Sequence, residues 1–233
     1  MQSEARESRS RDGERNLSGV WGAERGPGED AAQSGSVARM SIRAAVEADR
    51  ERIARICLLT GRRGGDATGV FGDDTALADV YATPYLEGPG GFCLVWDVDG
   101  EPHGYVLGTS DTVAFQRWFV EDWWPRVGPR HLVRSADDIG LHDAAADPAR
   151  MLGPAVDDYP AHLHIDLLPD QQGRGAGRRL IEAACAHLSD AGVAGVHLVA
   201  ERANEGAQAF YPRVGFEAVA EDDGSVTWAR RLP

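Results

Sequence analysis

The chain has 233 residues, 42% of them hydrophobic, enough for one domain with its own core. Its formal net charge of −13 disfavours a nucleic-acid partner; the acidity reads as solubility, or as a mouth that draws in a cationic substrate. Cys57, Cys93 and Cys185 fit neither a disulfide framework nor a metal site, and no signal-peptide core or membrane-length apolar run stands out, so the expectation is a soluble cytoplasmic protein with no membrane partner.

Residues 1–39 mix Ser, Gly, Glu and Arg without an apolar period. Such a segment buries too little surface to offset its ordering entropy. The expected organisation is a disordered tail over residues 1–40, a natural start at Met40, and a single domain over 41–233. A short strand is predicted at 41–45. A helix follows over 47–60, where Ile53, Ile56, Cys57 and Leu59 share a face and Gly61 stops it. After a glycine-rich loop over 61–72, residues 74–81 read as a short helix. The stretch FCLVWDVDGEPHGYVLGT reads as a hairpin, with strands 92–98 and 102–109 around Asp99-Gly100.

Residues 112–127 predict a helix rich in aromatics: Phe115, Trp118, Phe119, Trp123 and Trp124. The stripe reads as core, with a wall of the substrate pocket or a homodimer face as the alternatives. Residues 128–160 are polar and broken by prolines, with a helix expected around 144–152. Then come a strand at 161–168, a helix at 175–190, a strand at 195–200, a helix at 205–214 and a hairpin of 216–220 with 226–230. This order is mixed α/β (α+β), with antiparallel hairpins and one parallel β-α-β unit over 161–200.

The most informative stretch is LLPDQQGRGAGRRL, residues 167–180. A loop that joins a strand to a helix N-terminus exposes unpaired N–H groups and the positive end of the helix dipole, which together make an anion site. A nucleotide P-loop needs lysine, and this chain has only arginine as a basic residue. A dinucleotide fingerprint wants glycine where Arg178 stands. The pattern Q/R-x-x-G-x-G/A, present as Gln172-Gly173-Arg174-Gly175-Ala176-Gly177, suits the pyrophosphate of an acyl-CoA; the bland alternative is an ordinary glycine-rich connection.

Downstream lies NEGAQAFYPRVGF, with Asn204, Ala207, Tyr211, Gly215 and Phe216. Together the two segments resemble the GNAT superfamily of acyl-CoA N-acyltransferases. The stretches YVLGTSDTVAFQRWFVEDWWPRV and YPAHLHIDL further resemble the acetyltransferase-like C-terminal domain of O-GlcNAcase. The glycoside hydrolase part of that protein has no counterpart, so no hydrolase activity is assigned.

The resemblance implies a GNAT fold: a mostly antiparallel twisted sheet flanked by helices, with a splayed central parallel strand pair. It implies acetyl-CoA as the acyl donor, with backbone groups around Leu167 and Leu168 holding the pantetheine and thioester. Gln172, Gly173, Arg174, Gly175, Ala176, Gly177 and Arg178 would take the pyrophosphate, and Asn204 and Tyr211 would complete the cofactor site. Tyr211 would also act as the acid toward the leaving thiolate. Asp166 is the first candidate base and Glu201 the second; many relatives carry Glu where this chain has Val199.

On strand 161–168, alternation sends His162, His164 and Asp166 to one face. Polar residues in register on a central strand suggest a cleft. A metal reading of His-x-His-x-Asp is set aside, because residues two apart on a flat strand converge poorly. The function expected is acetyl transfer from acetyl-CoA to an unidentified primary amine. The alternative is a non-catalytic acetyl-CoA-binding module, a sensor or interaction domain.

Overall fold

The structure is a computed structural model that describes residues 38–233; the expectations for residues 1–37 lie outside the described residues. Seven strands form one sheet: β1 (Met40–Ala44), β2 (Gly91–Val98), β3 (Glu101–Thr109), β4 (Ala161–Leu167), β5 (Gly195–Glu201), β6 (Glu217–Glu221) and β7 (Ser225–Arg231). Their order is β1-β2-β3-β4-β5-β7-β6. Every neighbouring pair is antiparallel except β4 and β5. The β2–β3 hairpin turns through Asp99 (φ 52°) and Gly100 (φ 97°), the two left-handed positions of a type I′ turn.

Helices cover both faces. On one face lie α1 (Arg50–Thr60), α2 (Ala76–Tyr81) and α3 (Thr112–Trp118), the last continuing through a π-helical turn (Phe119–Trp123) into α4 (Trp124–Val127). Pro125 has no N–H to give to a carbonyl one turn back, which accounts for the widened turn before it. On the other face lies α6 (Ala176–Asp190), the crossover between β4 and β5.

The strand period of two feeds both cores. Cys93, Val95, Tyr105 and Leu107 pack with α1, α2 and the aromatic helix, whereas Phe92, Trp96, Val106 and Leu163 pack with α6. Leu180, Ile181, Ala184 and Leu188 of α6 are fully buried against the latter. A short α7 (Glu205–Phe210) closes the second core beside β5.

One expectation is corrected and another borne out. The helix placed around 144–152 is α5 (Ala136–Ala146). Ser135 accepts from the Asp138 N–H, and Asp138 accepts back from the Ser135 N–H. This capping box sets the start, and Pro148 bars a helix interior where the expectation put one. The aromatic stripe is core: Phe115 and Phe119 are fully buried, and Trp123 and Trp124 nearly so.

Candidate active site

The donor end is built from the connection between β4 and α6. A short 3-10 turn (Pro169–Gln171) leads into the glycines, and Gly175 is the N-cap of α6. Gly173 (φ 72°) and Gly175 (φ 84°) hold left-handed backbone, which costs an L-residue about 1–2 kcal/mol. A Cβ placed on either would meet nothing within 4 Å, so the loop faces open space; the Gln172 amide bonds the Pro169 carbonyl at 3.3 Å, and the amides of Gly173, Arg174 and Gly175 have no backbone partner. The fifteen-residue α6 aims the positive end of its dipole there. Gln172 donates from its side chain to the Leu167 carbonyl at 2.9 Å. Arg174 is exposed. Arg178 donates to the Arg213 carbonyl at 2.6 Å, which ties the loop to the turn carrying Tyr211. Gln171, which the sequence reading passed over, anchors the loop: its Oε1 accepts from Trp96 Nε1 of β2 at 3.1 Å. No local pattern marks Gln171 apart from its neighbour.

Next to this loop the sheet opens. β4 pairs with β5 only at Ala161–Val196 and His162–His197; beyond them both strands continue without pairing. On its other side β4 stays paired with β3 through Leu167. Leu168 N–H donates to the His103 carbonyl at 3.0 Å and Leu168 O accepts from Gln171 at 2.9 Å. Leu168 is therefore not one of the freed groups, a correction to the expectation. By alternation, Leu163, Ile165 and Leu167 turn their backbone N–H and C=O groups toward the gap. The gap belongs to a cleft of about 580 Å³ whose lining includes His164, Asp166, Val199, Glu201, Asn204 and Tyr211. Its far wall is Tyr81, Leu77, Phe71 and Leu141, with Gly61, Arg63 and Gly64 of the 61–72 loop. The 61–72 loop thus shapes the cleft, and no residue of the aromatic helix lines it.

Asp166 is half-buried, and its Oδ2 accepts from the Tyr105 hydroxyl at 2.7 Å. Burial pushes its carboxyl above the usual range, and the Tyr105 bond pulls the other way. Tyr211 is 8% exposed, and burial and the charge of Asp166 push its phenol up. Its hydroxyl makes no hydrogen bond among the described residues, so the proton is available to a ligand. Glu201 is exposed and forms an ion pair with Arg63 at 2.6 Å, across the cleft mouth. Arg63 has φ 54°, a left-handed conformation uncommon for a non-glycine residue. Val199 is 60% exposed toward the cleft. Asn204 caps α7, its Oδ1 accepting from the Ala207 N–H at 3.0 Å. The structure thus gathers Asp166, Tyr211, Glu201 and Asn204 around one cleft. No group of three or more metal-ligating side chains occurs among the described residues.

Residues 145–218, which span the glycine loop and the Asn204–Phe216 segment, match the family model described as Acetyltransferase (GNAT) domain. The mycothiol acetyltransferase of Rhodococcus jostii (strain RHA1) is 39% identical over 97 residues, 37% of this chain and 31% of that protein. The mycothiol acetyltransferase of Propionibacterium freudenreichii subsp. shermanii is 41% identical over 56 residues, 24% of this chain and 18% of that protein. The chain spans less than a third of the length of these curated relatives. Among solved structures, the crystal structure of SsHAT is 38% identical with a TM-score of 0.76, covering 82% of this chain and 98% of that one. The PaiA N-acetyltransferase of Thermoplasma acidophilum, in complex with coenzyme A, shares the fold at 12% identity and a TM-score of 0.53, covering 83% and 99% of the two chains.

Proposed function

The chain belongs to the GNAT acetyltransferase family, and we propose that it transfers the acetyl group of acetyl-CoA to a primary amine. The observation that carries this reading is the loss of β4–β5 pairing beyond His162–His197, on the side of the sheet where the glycine loop bares its amides. A pyrophosphate at residues 172–178 would leave the pantetheine arm to run into the gap. There it would replace the missing strand-to-strand hydrogen bonds.

The chemistry then has three needs: a deprotonated amine, a polarised thioester carbonyl and a neutralised thiolate. A β4 amide at Ile165 or Leu167 would receive the oxyanion, a donor worth about 3 kcal/mol in comparable sites. Asp166, its pKa raised by burial, would draw the ammonium proton or orient the amine; Tyr211 would protonate the thiolate. Glu201 is the second carboxylate, and serving as base would require it to leave Arg63.

Residues 41–233 are proposed as the working domain of a cytoplasmic enzyme. The finer likeness to the O-GlcNAcase acetyltransferase-like domain rests on segments that meet here: YPAHLHIDL supplies β4, and Tyr105, which opens YVLGT, holds Asp166. The names of the curated relatives, matched over a small share of their length, leave the acceptor open.

One observation favours a second reading, a non-catalytic acetyl-CoA-binding module: Val199, where the family resemblance implies glutamate, presents only an apolar side chain to the cleft. Calorimetry with acetyl-CoA, followed by a thiol-release assay over an amine library, separates the two. Binding with release above hydrolysis is the expected result; binding without release across the library supports the module; no binding sinks both.

A further inference from the structure

The polar face of β4 carries a hydrogen-bonded chain with a defined direction. Thr112 Oγ1 donates to the Pro160 carbonyl at 2.7 Å, which spends its only proton. His162 Nδ1, 2.9 Å from that hydroxyl, must then be the donor to it. A neutral His162 leaves Nε2 as an acceptor, filled by the Tyr85 hydroxyl at 2.7 Å. Tyr85 has now also spent its proton, so His164 Nε2, at 3.0 Å, donates to the Tyr85 oxygen. Tyr85 cannot turn away, since it is fully buried and stacked on Phe115 at 4.5 Å.

The chain ends on His164 with Nε2 protonated and Nδ1 carrying a bare lone pair. His164 lines the cleft, and its Nδ1 has no hydrogen-bond partner among the described residues and is not a buried orphan. On the same face of the strand, two residues and about 7 Å along, lies Asp166, whose Oδ2 accepts from Tyr105 and whose carboxylate is also approached by the Thr60 hydroxyl.

We propose that His164 is an acceptor-binding residue: its Nδ1 accepts a hydrogen bond from the amine of the acetyl acceptor, beside Asp166. Tyr85, His162 and Thr112 are positioning residues that fix its tautomer. This rests on the acetyltransferase reading and names how that site holds its amine. The groups facing His164 agree with a neutral ring. Burial, Arg150 and His197 together lower its pKa to about 4, and Tyr81 packs edge-on at 6.3 Å. Arg150 sits over the Tyr81 ring at 5.4 Å. A ring that stays neutral offers its lone pair to an arriving ammonium at any ordinary pH.

The test is long-range 1H–15N correlation spectroscopy of the histidine-labelled full chain with coenzyme A bound, titrated with n-propylammonium chloride at pH 7. The expected result is a neutral His164 protonated at Nε2, with the Nδ1 resonance moving on titration. A His164 protonated at Nδ1, or an imidazolium at pH 7, would overturn the proposal. So would an Nδ1 resonance blind to the ammonium while coenzyme A is bound. His164→Asn, which keeps an acceptor near Nδ1, should bind the probe within about threefold of wild type, and His164→Leu should lose at least tenfold; equal binding by the Leu variant also overturns it. Tyr85→Phe should yield a mixture of tautomers, and if that variant does not fold, the wild-type spectrum still decides. Failure to bind coenzyme A at all would instead strike the acetyltransferase reading and leave the tautomer assignment standing.

Discussion

The Tyr105 hydroxyl reaches Asp166 from inside the core: a fully buried phenol on β3 donates at 2.7 Å to a carboxylate that lines the cleft from β4. This bond lowers the Asp166 pKa while burial raises it, and burial is the larger effect. Removing the hydroxyl should therefore move the carboxyl further up. A base works only when ionised, so activity is lost as pH falls through its pKa. Tyr105→Phe is expected to shift the acid limb of the kcat/KM profile to higher pH. An unmoved limb would take the base role from Asp166.

Tyr211 offers a cleaner separation of folding from chemistry. Its hydroxyl has no partner among the described residues, while its ring packs against Phe216 and Trp228. Tyr211→Phe keeps the ring and strands no protein group, so Tm should hold within a degree or two. If the phenol protonates the thiolate, kcat should fall on the order of 10²-fold with the Kd of coenzyme A unchanged. Steady-state kinetics beside calorimetry check this; unchanged turnover removes the acid.

The glycine loop predicts coupled losses. Gly173→Ala and Gly175→Ala force a Cβ into left-handed backbone, at about 1–2 kcal/mol each. The space above both residues is open, so the cost is conformational rather than steric. Stability should fall by that amount in urea unfolding, and coenzyme A should bind roughly tenfold more weakly as the amides turn away. Weaker stability with unchanged affinity would mean that the anion sits elsewhere.

At the mouth, two small effects oppose each other at Arg63. Its exposed ion pair with Glu201 is worth about 0–1 kcal/mol, and its left-handed φ costs about 1–2 kcal/mol. Arg63→Gly removes both, so the variant should be as stable as wild type or slightly more so in chemical denaturation. Glu201→Gln should leave turnover within about threefold if Asp166 is the base, whereas a loss of about 10²-fold would reassign that role to Glu201.

Behind the far wall of the cleft, His131 is bonded by Asp73 at 2.8 Å and Asp79 at 3.1 Å. The two carboxylates hold its pKa above the usual histidine value, with Asp79 the larger cause. A raised histidine contributes stability that is complete below its unfolded pKa, about 6.5, and is lost as pH rises through the folded value. Asp73 and Asp79 are held low, so their share is present above about 3.9 and is lost as pH falls through their folded values. The difference in unfolding free energy between wild type and His131→Gln, read by urea unfolding, should be widest between these limits, about 2 kcal/mol for hydrogen bonds to charged groups, and should narrow toward alkaline pH.

Local pattern carried the chain a long way. The Asp99-Gly100 turn, the apolar face of α6 and the glycines before it each encode their own geometry, because φ preference and a period of 3.6 or 2 are properties of a few consecutive residues. The same holds for the alternation that put His162, His164 and Asp166 on one face. The start of α5 was also written locally, in Ser135 and Asp138, but lay hidden among prolines. What could not be read were relations between distant residues. Gln171 matters because Trp96, 75 positions away, donates to it. Leu168 drops out of the freed set because His103 claims its amide. Asp166 meets its donor, and Glu201 its cation, only through β3 and the 61–72 loop. Local pattern suffices for a strand, a glycine loop and a helix suited to an anion. Where β4 parts from β5, and which polar groups then face the opening, depends on burial and pairing summed over the whole sheet, which no short run of residues encodes.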